Sequence, residues 1–524
     1  MSADFADNDW VRNDAGRIVQ AALELWTAAV LNENADGAPD GVRWRFCCDA
    51  IGNSDGGIGL NLPRQSVADF IGWMGHRLIW WPGAPLLHRR TSILSSRLSK
   101  RRDLETWWFD VLRTSVIRTP SSSDCVCCVA GTAPFAAVSR ACQLFGVPQL
   151  QINVSDKVVT TSAQLVDWLV DRYECEFFRT KTREVHDGTD VHPVFLSPEF
   201  LGVAGRTGVS LQEVDVNAES QSLQGRDDFP PGDRALMNAG ERIVALSCRP
   251  KGNVERLLLR KLEVPENSRP LVLVSATENG PAIPESLIQG GAIPWLLAAS
   301  PAEFESSDSV ELSDDRSFQP VLIADGPVEV PDEWLCHWTR PVAGPWQDQA
   351  EDEFLDELIL GCETADRSAF AALIRLMTQQ VIKCSVSAKG KPSTVSFTSV
   401  PLAEFRSRRI FRRHRQRFDF EPWGVAIRKA ALQTVGAETV AYLDDDSPVD
   451  AVPPRFTQRR FSSNGQIDWS VEQEWRVEGD VELGWFANAD VVLFVDHALA
   501  AASLRRDSPW QVLVVPDVVE KAEG

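Results

Sequence analysis

The strongest constraint on how this chain can fold is a short pattern that recurs along its middle. Asp124–Val129 is an apolar run, residues 130–134 (AGTAP) form a tight loop of small residues, Phe135–Phe145 has helical spacing, and Pro148–Val154 is the next strand. Arg242–Cys248, the loop 249–253 (RPKGN) and the helix Val254–Leu262 repeat it, followed by Leu271–Ala276, the loop 277–281, a short helix Pro284–Gly291 and a strand over 293–299. A strand, a crossover helix and a second strand at this spacing make a βαβ unit. Repetition of such units predicts a mostly parallel sheet covered on both faces.

The length of 524 residues exceeds what one hydrophobic core supports. The pattern divides it into three expected domains: a Rossmann-like α/β domain over 1–155, a second such unit over 156–330 ending in the acidic, Ser-rich stretch 303–316, and an α+β domain over 331–524. Upstream, a helix is expected over 14–32 and a strand over 42–49, running into the Gly-rich segment 52–59. Glu213–Gly232 reads as a linker and Lys100–Asp103 as a surface break before a Trp-rich helix at 104–116. In the last third, acidic helix-spaced residues at 352–360 and a helix over 365–380 precede short strands, among them 394–398, 425–427 and 474–477.

The net charge of −21 repels nucleic acid over most of the surface. The N-terminus lacks the basic and apolar regions of a secretory signal. No window approaches the roughly 18 apolar residues of a membrane span. The 11 cysteines are scattered and several sit within apolar runs, which fits reduced thiols and a cytoplasmic location. No metal is expected: Cys125 and Cys128 have C-x-x-C spacing, but strand alternation points them to opposite faces. No Walker A loop is present.

Ligands of open α/β sheets bind beyond the C-terminal strand ends, where helix N-termini present free N–H groups. The loops AGTAP and RPKGN occupy that place, and Gly131, Thr132, Arg249, Lys251, Gly252 and Asn253 suit a phosphate-bearing, nucleotide-like molecule. The pair resembles the Rossmann-like superfamily of the DNA-processing protein A and the LOG-type hydrolases over about residues 120–300. The resemblance implies a phosphate loop at Gly131–Thr132 and a supporting Arg234 shortly before the strand at 242. The family's full PGGxGT pattern is missing. Ordinary βα turns without a ligand are the alternative.

The C-terminal third carries WLCHWTR (Trp334–Arg340), VSFTSV (Val395–Val400) and SVEQEWRV (Ser470–Val477). His-x-Thr, then a Ser/Thr strand, then Glu-x-Glu resembles the ADP-ribosyltransferase-like fold. The layout also resembles abortive-infection-type domains of phage defence. The resemblance implies NAD as a substrate, with His337 gripping a ribose and Thr339 beside it. It further implies Ser396 and Thr398 lining the nicotinamide slot, Glu474 as catalytic carboxylate and Glu472 as the acceptor-selecting companion. A carboxylate suits this chemistry because it stabilises an oxocarbenium-like ribose. The plain alternative is that Glu474 pairs with Arg476 on the same strand face.

Residues 406–417 hold seven Arg and one His. They suit phosphate or nucleic-acid contact with Phe405, Phe411 and Phe418 for stacking, or pairing with the chain's own acidic segments. Together these resemblances imply a bacterial defence-type protein with a nucleotide-binding front and an ADP-ribosyltransferase-like effector. The alternatives are a non-catalytic binding protein and a nucleotide hydrolase using the front loops.

Overall fold

The structure is a computed structural model. It describes residues 89–119, 124–155, 229–263, 270–277, 280–296, 333–385, 393–405, 420–444, 455–461 and 468–515, with shorter pieces at 44–45, 57–59, 73–74, 79–81, 163–164, 167–168, 191–196, 411–412 and 417–418. The expected helix over 14–32, the stretch 213–228 and the acidic segment 303–316 lie outside them. The chain forms two compact units. One comprises 1–306 together with 349–365, the other 307–348 with 366–524.

The first unit is built on a ten-stranded sheet. Its strands are β1 (Trp44–Arg45), β2 (Gly57–Gly59), β3 (Ile79–Trp81), β4 (Arg89–Ser95), β5 (Asp124–Val129), β6 (Gln149–Val154), β7 (Val191–Leu196), β8 (Arg242–Ser247), β9 (Leu271–Ala276) and β10 (Ile293–Leu296). They lie in the order 1-2-3-7-6-5-4-8-9-10. From β7 to β10 every neighbouring pair is parallel. The expected alternation is therefore present, but not as two tandem units over 1–155 and 156–330. β4 pairs directly with β8, so strands assigned to both units share one sheet.

Side-chain alternation explains why both faces are covered. On β5, Cys125 and Cys127 join the core formed with α3 (Pro231–Ala239) and α4 (Asn253–Leu262). Val126 and Cys128 join the opposite core with α1 (Thr106–Ile117) and α2 (Phe135–Leu144). The proline pair expected in a linker opens α3 instead, with Pro231 in its first turn, where its missing N–H costs nothing. The short α5 (Glu285–Gln289) precedes β10. Residues 100–103 are no simple surface break, since Arg101 and Asp103 form a buried ion pair with N–O separations of 2.9 and 2.6 Å.

A boundary at 330 misplaces one helix. α6 (Glu351–Leu360) belongs to the first unit. Its Phe354, Leu355, Leu358 and Ile359 complete the core around α1 and α2. Arg140 on α2 grips Asp356 through two 2.6 Å hydrogen bonds, and Arg113 on α1 donates to the Ile359 carbonyl at 2.8 Å. Helical spacing alone announced an apolar face without saying which core would receive it. Gly361 then ends α6 in the left-handed region, at φ 73°.

The second unit holds a seven-stranded sheet. Its strands are β11 (Trp334–Trp338), β12 (Thr394–Thr398), β13 (Gly424–Arg428), β14 (Glu438–Thr439), β15 (Glu474–Glu478), β16 (Val491–Val495) and β17 (Gln511–Val514). The order is 14-15-12-11-13-16-17, antiparallel except for the last pair. α7 (Ala369–Gln379), capped by the Ser368 hydroxyl, and α9 (Ala498–Arg505) pack on one face, with α8 (Lys429–Thr434) contributing Leu432. Within the Arg-rich stretch, Phe411–Arg412 pairs antiparallel with Arg417–Phe418, and the rest of that stretch lies outside the described residues.

Candidate functional site

The centre of the second sheet is irregular where the sequence placed its chemistry. β11 pairs with β13 over five residues, but with β12 at Cys336–Thr398 alone. Beyond that bridge the two strands part. A cavity of about 600 Å³ follows the gap, lined by His337, Thr339, Ser396, Thr398, Glu472 and Glu474 among others. The structure thus brings together all six residues singled out in this third of the chain.

They reach the cavity from two sides. Thr398 lies opposite Glu474 and Ser396 opposite Arg476, so these four side chains share one face. His337 follows Cys336, which shares that face through Thr398, and therefore emerges on the other, with its ring 5.7 Å from that of Phe397. His337 Nδ1 lies 2.9 Å from the Ser396 carbonyl, across the parted strands. A carbonyl only accepts, so Nδ1 carries the proton and Nε2 is left as an acceptor. Burial pushes the imidazole pKa down to about 4, and the nearby Arg340 charge adds to the fall.

Glu474 is buried and doubly held. Arg476 Nε and a terminal guanidinium nitrogen each donate to one of its carboxylate oxygens at 2.8 Å. The Glu474 N–H donates to the Tyr442 hydroxyl at 3.0 Å, and Arg476 also donates to Gln458, which lines the cavity. The two threonines are committed to the backbone. The Thr339 hydroxyl lies 2.7 Å from the Ala369 carbonyl. Thr398 donates to the Glu472 carbonyl at 2.6 Å and accepts from the Val400 N–H at 3.0 Å, tying β12 to the turn that carries Glu472. Ser396 stays exposed.

Sequence reasoning missed much of the wall. Trp338, Trp346, Phe420 and Trp469 supply flat apolar surface. Arg375 packs over Trp346 at 5.1 Å and binds Asp348 at 2.6 Å, holding that carboxyl below its usual range. No local motif marks these residues. Their abundance of Trp was visible, but its convergence is a tertiary fact.

The first unit has its own cavity, of about 630 Å³, at the C-terminal ends of β4, β5, β6 and β8. Gly131, Arg249, Gly252 and Asn253 line it, joined by Ser95, Ser96, Arg97 and Asp233, which the sequence did not single out. The other three expected ligand residues do not line it. The Thr132 hydroxyl donates to the Val129 carbonyl at 2.7 Å, inside its own turn. Arg234 is buried in α3 with its guanidinium directed toward the Trp73 carbonyl, so the implied phosphate-supporting role falls on the wrong face of that helix. Lys251 takes φ 60° in the turn before α4 and donates its N–H to Glu255.

Among the described residues no group of three or more His, Cys, Asp or Glu is placed to hold a metal, and no helix is long and apolar enough to cross a membrane. Burial pushes the thiols of Cys127, Cys248 and Cys336 up to about 12, as expected of cysteines packed as small apolar groups. Comparison with protein-family models, curated proteins and solved structures gave no match to this chain.

Proposed function

We propose that the second unit cleaves the nicotinamide–ribose bond of NAD and passes the ADP-ribosyl group to an acceptor. The observation that carries this reading is the convergence of His337, Ser396, Glu472 and the buried Glu474 on one cavity large enough for much of a dinucleotide. In such a reaction the C–N bond breaks with its electron pair leaving on nicotinamide. The ribose carbon becomes cationic, and the acceptor oxygen, nitrogen or water bonds to it as its proton departs. A fixed carboxylate lowers the energy of that cation without moving. Glu474, oriented by Arg476, suits this electrostatic role better than proton abstraction, because both oxygens already accept charge-assisted hydrogen bonds. His337 Nε2 offers an acceptor to a ribose hydroxyl. With its likeness to abortive-infection-type domains, such an activity would serve phage defence by consuming NAD or modifying a target.

The same ion pair favours a second reading, a binding module without turnover, since Arg476 occupies the carboxylate that catalysis needs. Loss of NAD during incubation with purified full-length protein separates the two. Glu474→Gln is expected to cut the rate at least a hundredfold while leaving the melting temperature within a few degrees. Equal NAD loss in the variant, or none in the wild type, would sink the transferase reading.

A further inference from the structure

The first sheet reverses its direction of growth between β4 and β8. β4, β5 and β6 follow one another to one side, and β8, β9 and β10 to the other. Loops leaving neighbouring strands in opposite directions open a crevice at that point, and the 630 Å³ cavity occupies it. Its rim is pinned across the reversal. The Arg249 N–H donates to the Ser96 hydroxyl at 3.0 Å, and the Arg249 guanidinium donates to the Arg97 carbonyl at 2.6 Å. Arg97 and Arg249 are both exposed at this rim. Against them stands the half-buried Asp233, close enough for the Arg97 charge to oppose the upward push of burial on its carboxyl.

Two guanidinium groups against one carboxylate leave the crevice cationic, within a chain of net charge −21. Guanidinium groups match the geometry of both phosphate and carboxylate, and a pair of them balances the nearly double charge of a phosphate monoester. The walls are small, with Ala130, Gly131, Gly232 and Gly252 among the lining residues, and at Gly131 the space a side chain would fill is empty. Among the described residues no aromatic ring lines the cavity, so none of them offers a base a stacking partner there. Ser96, Asp233 and Asn253 are the polar anchors that remain, and they suit hydroxyl groups. The loop after β4 is residues 96–101 (SRLSKR), without the glycines that cradle phosphate in dinucleotide-binding sheets. Here side-chain cations stand in their place.

We infer that this crevice binds a sugar phosphate, or the ribose–phosphate part of a nucleotide, with the phosphate on Arg97 and Arg249 and a sugar hydroxyl on Asp233. The inference is independent of the reading proposed for the second unit.

Calorimetric titration of the full chain at low salt with ribose 5-phosphate, AMP and inorganic phosphate tests it. Ribose 5-phosphate and AMP are expected to bind saturably, about tenfold or more weaker in Arg97→Gln and in Arg249→Gln, because a charge-assisted contact is lost. The Arg97 side chain makes no hydrogen bond to the fold among the described residues, so its substitution leaves the unit folded. Inorganic phosphate is expected to bind less tightly than ribose 5-phosphate, with Asp233→Asn narrowing the difference. Glu474→Gln is expected to change none of these. Absence of saturable binding by both sugar phosphates overturns the inference. So does affinity unchanged by Arg97→Gln, or affinity lost in Glu474→Gln, which would move the ligand to the other cavity.

Discussion

Gly424 opens β13 directly opposite Trp338, and a methyl group added there would press into the His337 carbonyl oxygen and the Phe494 ring. Neither neighbour can yield cheaply, one being main chain of the central strand and the other a fully buried ring. Gly424→Ala is therefore expected to lose about 1–3 kcal/mol of stability, read as a lower urea midpoint with an unchanged slope. His337 gives a prediction of opposite kind. Its folded-state pKa of about 4 lies below the ordinary 6.5, so the unfolded chain takes up the proton first. Stability then falls as pH drops from about 6.5 toward 4 and is fully retained above that window. His337→Gln should flatten this part of the profile in denaturant melts at pH 7 and pH 5. An equal fall in both proteins would assign the acid sensitivity elsewhere.

At the scale of elements, α6 separates what sequence can announce from what it cannot. Its acidic first turn and apolar face made a helix over 352–360 legible, and Glu351–Leu360 is helical. Its partners were not legible, because periodicity reports a face and not a destination. Phe354, wholly buried against α1 and α2, supplies the check. Phe354→Ala is expected to cost about 3–5 kcal/mol, and hydrogen exchange should show the loss in α1 and α2 rather than in β11–β13. The same limit applies to β11. Its parting from β12, which opens the cavity, depends on a register that no local pattern encodes. Side-chain direction was partly legible. Alternation correctly separated Cys125 from Cys128, while the neighbourhood of Glu474 and Arg476 was foreseen simply because i and i+2 share a strand face.

Taken whole, a mostly parallel α/β sheet in the first part was legible, because repeated apolar runs and helix spacings are local signals. The count of sheets in its first part was not. Whether two βαβ blocks stack side by side or join edge to edge is decided by the β4–β8 pairing, between residues about 150 apart in sequence. The front cavity follows from that pairing, which is why Arg97 and Asp233 escaped notice while the loops at 131 and 249–253 did not.

The return of the chain to place α6 also orders events during synthesis. β10 ends at Leu296, and α6 is complete only at Leu360, about sixty residues later. At roughly 5–20 residues per second, a ribosome spends several seconds between the two. Throughout that interval the faces of α1 and α2 that meet Phe354 and Leu355 stand wet on the nascent chain. The last piece of the first core is thus made after β11 of the second unit, so neither core can be finished strictly before the other has begun.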